Sequence, residues 1–140
     1  MLIVGAFDEA GSPTIPVRIS GELGSREYIA TIDTGFTGFV ALPTMEIVPL
    51  GLSTLPSAAS VMLGNGEIIY NLIAQGRVTV GGQSVEGPIL LDDTGNDTLV
   101  GMAFLRAFQL ALIVTDSSVV LHDRDETLEA VTQFVRHNKT

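Results

Sequence analysis

Runs of Val, Ile, Leu and Thr recur along this chain between clusters of Gly, Pro, Asn and Asp. Apolar or alternating runs of about four to eight residues bounded by turn residues suit the strands of a sandwich or barrel, so the pattern predicts a mainly β protein. Strands are expected near Leu2–Phe7, Thr14–Ser20, Tyr28–Ile32 and Phe39–Leu42. Further strands are expected near Ala59–Leu63, Ile68–Val80, Ser84–Leu91, Leu110–Val114 and Val119–His122. Asn65-Gly66 suits the positive-φ positions of a two-residue hairpin turn, and Gly81-Gly82 reads as a second such turn. Three segments predict helix. Pro43–Leu50 is limited by Pro49, and Met102–Phe108 is short and apolar. The clearest is the C-terminal stretch, residues 125–136: Asp125 can cap it, Leu128, Val131 and Val135 recur at helical spacing, and Phe134 joins the same face. That apolar stripe is expected to pack on the barrel or on a second subunit. No linker or repeat interrupts the pattern, so residues 1–140 are expected to form a single domain, with its core at about 13–122.

Composition narrows the chemistry. The chain has 140 residues, 46% of them apolar and 16% charged, a net charge of −9 and no cysteine. Such a chain can bury a core without disulfides, and it cannot build a thiolate metal site. His122 and His137 alone make a poor metal set, so no metal site is expected. Seven basic residues are scattered without a cluster, and an acidic chain repels phosphate backbones, which argues against nucleic-acid binding. The uncharged run from Ile47 to Gly66 is broken by Pro49, Gly51, Pro56 and Gly64, so no membrane insertion is expected. Met1 to Gly5 lacks the basic start of an export signal, and the absence of cysteine is consistent with a cytoplasmic protein.

The informative segment runs from Tyr28 to Pro43. An apolar strand delivers Asp33, then Thr34, Gly35, Phe36, Thr37 and Gly38, then a second apolar strand. A carboxylate at the end of a buried strand loses hydration unless a partner group compensates. Gly35 lets the backbone turn tightly, and Thr34 supplies a hydroxyl that both donates and accepts. A tripeptide alone is weak: Asp93-Thr94-Gly95 is a second copy, in a polar stretch that reads as a plain surface loop. The flanking strands distinguish the first copy from the second.

In this context the chain resembles the retropepsin-like aspartic proteases, and most of all the bacterial and archaeal members whose signature reads Asp-Thr-Gly-Phe-Thr/Ser-Gly. Leu99-Val100-Gly101 leading into Met102-Ala103-Phe104-Leu105 matches the family's second landmark, an apolar pair and a glycine before a short helix. The resemblance covers about Pro13 to His122. It implies a closed acid-protease-like β-barrel with a flap hairpin and one short internal helix, to which the C-terminal helix is added. The flap would be Leu63, Gly64, Asn65 and Gly66. It also implies a catalytic set of Asp33, Thr34 and Gly35: Asp33 as the acid, Thr34 bonding across a dimer axis beneath the carboxylates, and Gly35 offering its backbone.

The stoichiometry of the family's chemistry then matters. Water activation between two carboxylates that share a proton needs two acids, and the chain is too short for two lobes. The second acid must come from a second copy on a twofold axis. The expectation is a homodimeric endopeptidase acting on an extended peptide or protein; the alternative is a non-catalytic module that keeps the barrel for dimerisation or peptide binding. Two departures from the family stand out. Phe36 follows the triplet where retroviral members carry a small residue, and its expected role is packing. The C-terminal helix is absent from the viral minimal fold, whose dimers use interleaved terminal strands.

Overall fold

The computed structural model describes residues 1–62, 66 and 68–138. Among the described residues, eleven strands and three α-helices follow one another: β1 (Leu2–Val4), β2 (Ala6–Phe7), β3 (Pro13–Ser20), β4 (Ser25–Ile32), β5 (Val40–Pro43), α1 (Ile47–Leu50), β6 (Ser53–Met62), β7 (Ile68–Val80), β8 (Gln83–Asp92), β9 (Leu99–Val100), α2 (Met102–Ala107), β10 (Leu110–Val114), β11 (Val119–Asp123) and α3 (Arg124–His137). A 3-10 turn over Thr44–Glu46 leads into α1. Pro49 fits inside α1 because the first turn of a helix needs no N–H donor there.

Six strands close into a barrel in the order β3-β4-β9-β5-β8-β7, with β7 returning to β3 through Arg18↔Thr79, Ile19↔Val78 and Ser20↔Arg77. β2 and β6 lie outside that ring, beside β3 and β7. Inward-facing residues alternate, as on β3, where Ile15, Val17 and Ile19 are buried and Pro16 and Arg18 are exposed. Phe39, Phe104 and Phe108 join α2 to the barrel core, with ring centroids 4.8 to 6.4 Å apart.

A second sheet, β1-β11-β10, is built from the two ends of the chain. Its register sets Ile3, Leu121 and Leu112 on one face and Leu2, Val4, Val120, His122, Ala111 and Ile113 on the other. Ile3 and Leu121 are buried, while Leu2, Val4 and Ile113 are exposed. The inner face therefore covers the barrel and the outer face is left open.

Several expectations need correction. The single strand expected over Leu2–Phe7 is two, broken at Gly5 where the chain passes from the terminal sheet to the barrel sheet. β6 begins at Ser53 rather than Ala59, and the register shift between Thr54 and Ala58 absorbs Pro56 on what is an edge strand. Leu99–Val100 is a strand in its own right, paired parallel to β4 and antiparallel to β5. Asp125 does not cap α3: Asp123 holds the cap position, and its carboxylate binds the Met1 ammonium at 2.6 Å instead of a helix N–H. The stripe of α3 does not pack on the barrel, since α3 has no buried residue.

The Gly81-Gly82 turn forms as expected: both glycines have positive φ, +54° and +80°, and Val80 pairs with Gln83. Of the expected flap, β6 and β7 pair as far as Met62↔Ile68. Leu63, Gly64 and Asn65 lie outside the described residues; Gly66 is exposed, with φ +86°. Among the described residues, no helix is long and apolar enough to cross a membrane.

Candidate active site

β4 delivers Asp33 to one end of the barrel. The strand is held between β3 and the parallel β9, and the ladder continues one step past its end through Asp33 N–H to Val100 O at 3.0 Å. The chain then turns: Phe36 N–H donates to Asp33 O at 3.1 Å, and Gly35 N–H donates to Asp33 Oδ1 at 2.9 Å. The loop thus fixes the carboxylate with its own backbone. A carboxylate that keeps a backbone donor and partial exposure can stay hydrated, and Asp33 is half-buried rather than enclosed. Thr34 and Gly35 are exposed beside it.

Leu99-Val100-Gly101 meets this loop from the other side. Gly101 N–H donates to Phe39 O at 3.1 Å, Met102 N–H to Phe36 O at 2.8 Å and Ala103 N–H to Gly38 O at 3.1 Å. The first N–H groups of α2, which lack partners within a helix, are satisfied by carbonyls of the Asp33 loop. The approach is close enough to require glycine. A Cβ on Gly101 would lie 2.5 Å from Gly38 O, nearer still to Phe36 O, and 2.6 Å from the Phe36 ring. A Cβ on Gly38 would lie 2.5 Å from the same ring. The half-buried Phe36 ring therefore lies over two glycines.

A cavity of about 400 Å³ opens beside the loop, between Thr34, Met102, Leu105, Arg106, Leu110, Leu112 and Arg124. A second cavity of about 380 Å³, with Glu22, Arg77 and Glu86 in its wall, includes none of the triplet.

The Asp93 copy of the triplet is built differently. Asp92, not Asp93, organises that turn: its Oδ1 accepts Thr94 N–H and Thr94 Oγ1–H, each at 2.9 Å. The Thr94 N–H bond holds the Asp92 carboxyl below its ordinary range, against the opposing effect of partial burial. Asp93 accepts from Thr44 Oγ1. This is turn chemistry on the surface, as expected for that segment.

The sequence did not single out one polar cluster on the strands that flank the Asp33 loop. Tyr28 Oη donates to Glu46 Oε2 at 2.9 Å, and Arg26 Nη1 reaches the same oxygen at 2.8 Å. Burial first, then the Glu46 bond, pushes the Tyr28 hydroxyl well above its ordinary pKa, so it stays a neutral donor. The cluster ties β4 to the 3-10 turn after β5, the two strands that flank the Asp33 loop. Its partners are 18 and 20 residues apart, too far for any local spacing to signal.

Among the described residues, no group of three or more His, Asp or Glu side chains is placed to hold a metal ion. No model of a known protein family matches the sequence, and no curated protein matches it. Solved structures do. The chain is similar to EIAV protease complexed with the inhibitor HBY-793, with a TM-score of 0.62 at 16% identity over 77% of this chain and 98% of that one. It is also similar to a retropepsin-like aspartic protease from Rickettsia conorii, with a TM-score of 0.59 at 20% identity over 86% of this chain and 89% of that one. The mainly β chain, with its closed six-strand barrel and few helices, thus has the retropepsin-like fold.

Proposed function

We propose that this chain is an aspartic endopeptidase that works as a homodimer, with Asp33 of each copy meeting at a twofold axis. The observation that carries this reading is the Asp33 carboxylate itself. It stands half-buried at the end of β4, oriented by Gly35 N–H, in an Asp-Thr-Gly loop on a fold shared with aspartic proteases. The chain carries one such loop, since the Asp93 segment is a surface turn. A second acid must then be supplied by a second copy.

In the dimer, the two carboxylates share one proton, because like charges about 3 Å apart do not both ionise. The ionised carboxylate takes a proton from water as the oxygen attacks the peptide carbonyl. The protonated one donates to the carbonyl oxygen, giving a tetrahedral diol. Collapse of the diol breaks the C–N bond, with a carboxyl proton passing to the leaving nitrogen. Thr34 bonds across the axis and keeps the pair coplanar; Gly35 offers its backbone to the carboxylate, through its N–H, and to the substrate. The substrate lies extended, as an added strand, under the β6–β7 hairpin, with Leu63, Gly64, Asn65 and Gly66 closing over it to exclude water. No cofactor enters this chemistry.

The test is cleavage of a mixed peptide library, read by mass spectrometry from pH 3 to pH 8, by the wild-type chain and by Asp33→Asn. Loss of the general acid–base pair should lower the rate by at least about a thousandfold. Cleavage that survives Asp33→Asn overturns the assignment. Silence from both chains, with a folded dimer that retains peptides, supports the non-catalytic module instead.

A further inference from the structure

α3 is a helix of 14 residues with nothing buried. Its four apolar residues on one stripe, Leu128, Val131, Phe134 and Val135, are between 55% (Val131) and 68% (Phe134) exposed. Among the described residues, the helix is fastened by hydrogen bonds to the rest of the chain at its start. Arg124 N–H donates to Gln109 O at 2.8 Å, and His122 Nδ1 lies 2.9 Å from Thr127 Oγ1. An isolated helix of this length is marginal in water, and helices in proteins are held by burying such a stripe. The terminal sheet, whose strand β11 ends at Asp123 just before α3, also has an outer face that is apolar and open at Leu2, Val4 and Ile113.

The charges on α3 indicate what covers it. Its first turn carries Asp125 and Glu126 beside Arg124, which pairs with Asp125, with Glu129 one turn on, so the start is acidic on balance; its last turn carries Arg136 and His137. That order suits the helix's own dipole, and it also makes the helix self-complementary in one orientation only. Two copies related by a twofold axis across the helix run antiparallel, with the acidic start of each against the basic end of the other. A parallel pair sets like charges together. A lipid surface fits poorly, because the helix start and the chain as a whole are acidic, with a net charge of −9.

We propose that α3 pairs antiparallel with α3 of a second copy of this chain, burying Leu128, Val131, Phe134 and Val135 between them. The inference deepens the dimer reading above and rests on it for the presence of a second copy. Thr34 and Arg124 line the same cavity, so the triplet and the start of α3 share one surface.

Sedimentation of the full chain between about 1 and 100 µM tests this, alongside Val131→Glu, Val135→Glu and Arg136→Glu. These positions are exposed, so the thermal unfolding of the barrel reports whether each variant folds as the wild type does. A charge forced into the helix pair should weaken dimerisation by roughly a hundredfold for either Val→Glu change. Arg136→Glu should weaken it several-fold at low salt. A dimer unchanged by Val131→Glu and Val135→Glu overturns the α3 pairing and leaves the peptidase reading standing. Tighter association of Arg136→Glu indicates a parallel pair and also overturns it. A wild-type chain that stays monomeric at about 100 µM sinks both readings, given that stable dimers form well below this. Flotation with phosphatidylcholine–phosphatidylglycerol vesicles that Val131→Glu abolishes, with sedimentation unaltered, assigns the stripe to lipid and overturns the pairing. An inactive dimer that Val131→Glu separates supports the pairing while the catalytic assignment fails.

Discussion

Gly101 shows how one missing side chain holds the candidate site together. Its Cα hydrogen occupies the space between Phe36 O and Gly38 O, and any Cβ there collides with backbone rather than with a movable side-chain end. Gly101→Ala should therefore force the Asp33 loop away from α2 and cost about 3 kcal/mol or more, read as an earlier midpoint in urea unfolding. Gln109 offers the opposite sign. It has φ +54° without being glycine, at the junction of α2 and β10, and it is exposed. Gln109→Gly relieves that conformation while keeping the carbonyl that accepts Arg124 N–H. It should raise stability by about 0.5–1 kcal/mol, visible as a small increase in Tm.

Among the elements, the turn after β8 has a pH signature. Asp92 is held ionised by Thr94 N–H, so its carboxyl is more acidic in the folded chain than in the unfolded one. A group of this kind stabilises above its unfolded pKa of about 4, and its contribution disappears as pH falls through the folded value. Asp92→Asn should thus lower Tm by a few degrees at pH 7, with the difference from wild type shrinking as acid is added below the ordinary carboxylate pKa of about 4. Equal deficits at neutral and acid pH would show that the turn depends on shape and not on charge. Elements were also where the sequence spoke most unevenly. β7 and β10 fall where the alternation of apolar residues placed them, because each run is long or sharply bounded. β6 starts six residues ahead of the expected Ala59, and this added stretch contains Pro56. An edge strand needs only one ladder of hydrogen bonds, so it tolerates proline at a bulge.

For the whole molecule, concentration is the decisive variable. If two copies build one site, peptidase activity per chain should fall on dilution, approaching a second-order dependence on chain concentration once dimers dissociate. Activity strictly proportional to concentration across the dissociation range, measured with the same peptide, contradicts a shared dyad. Mixing wild-type chains with an excess of Asp33→Asn chains should suppress activity further, because most wild-type subunits would then pair with an inactive partner.

The sequence by itself determined the mainly β character, the Gly81-Gly82 turn, the internal helix and the two segments, Asp33 to Gly38 and Leu99 to Gly101, that the fold brings together. These are local matters: strand alternation, positive-φ glycines and a carboxylate placed after an apolar run act over a few residues. What only the tertiary structure decided is long-range. The parallel pairings of β4 with β9 and of β5 with β8 join segments with no shared local pattern. The Tyr28–Glu46–Arg26 cluster and the seating of α2 on the Asp33 loop depend on closure of the barrel. The same holds for α3. Its amphipathic spacing was plain in the sequence, but periodicity states only that one face seeks burial. The barrel's core was already filled by its own strands and α2, so that face was left outward.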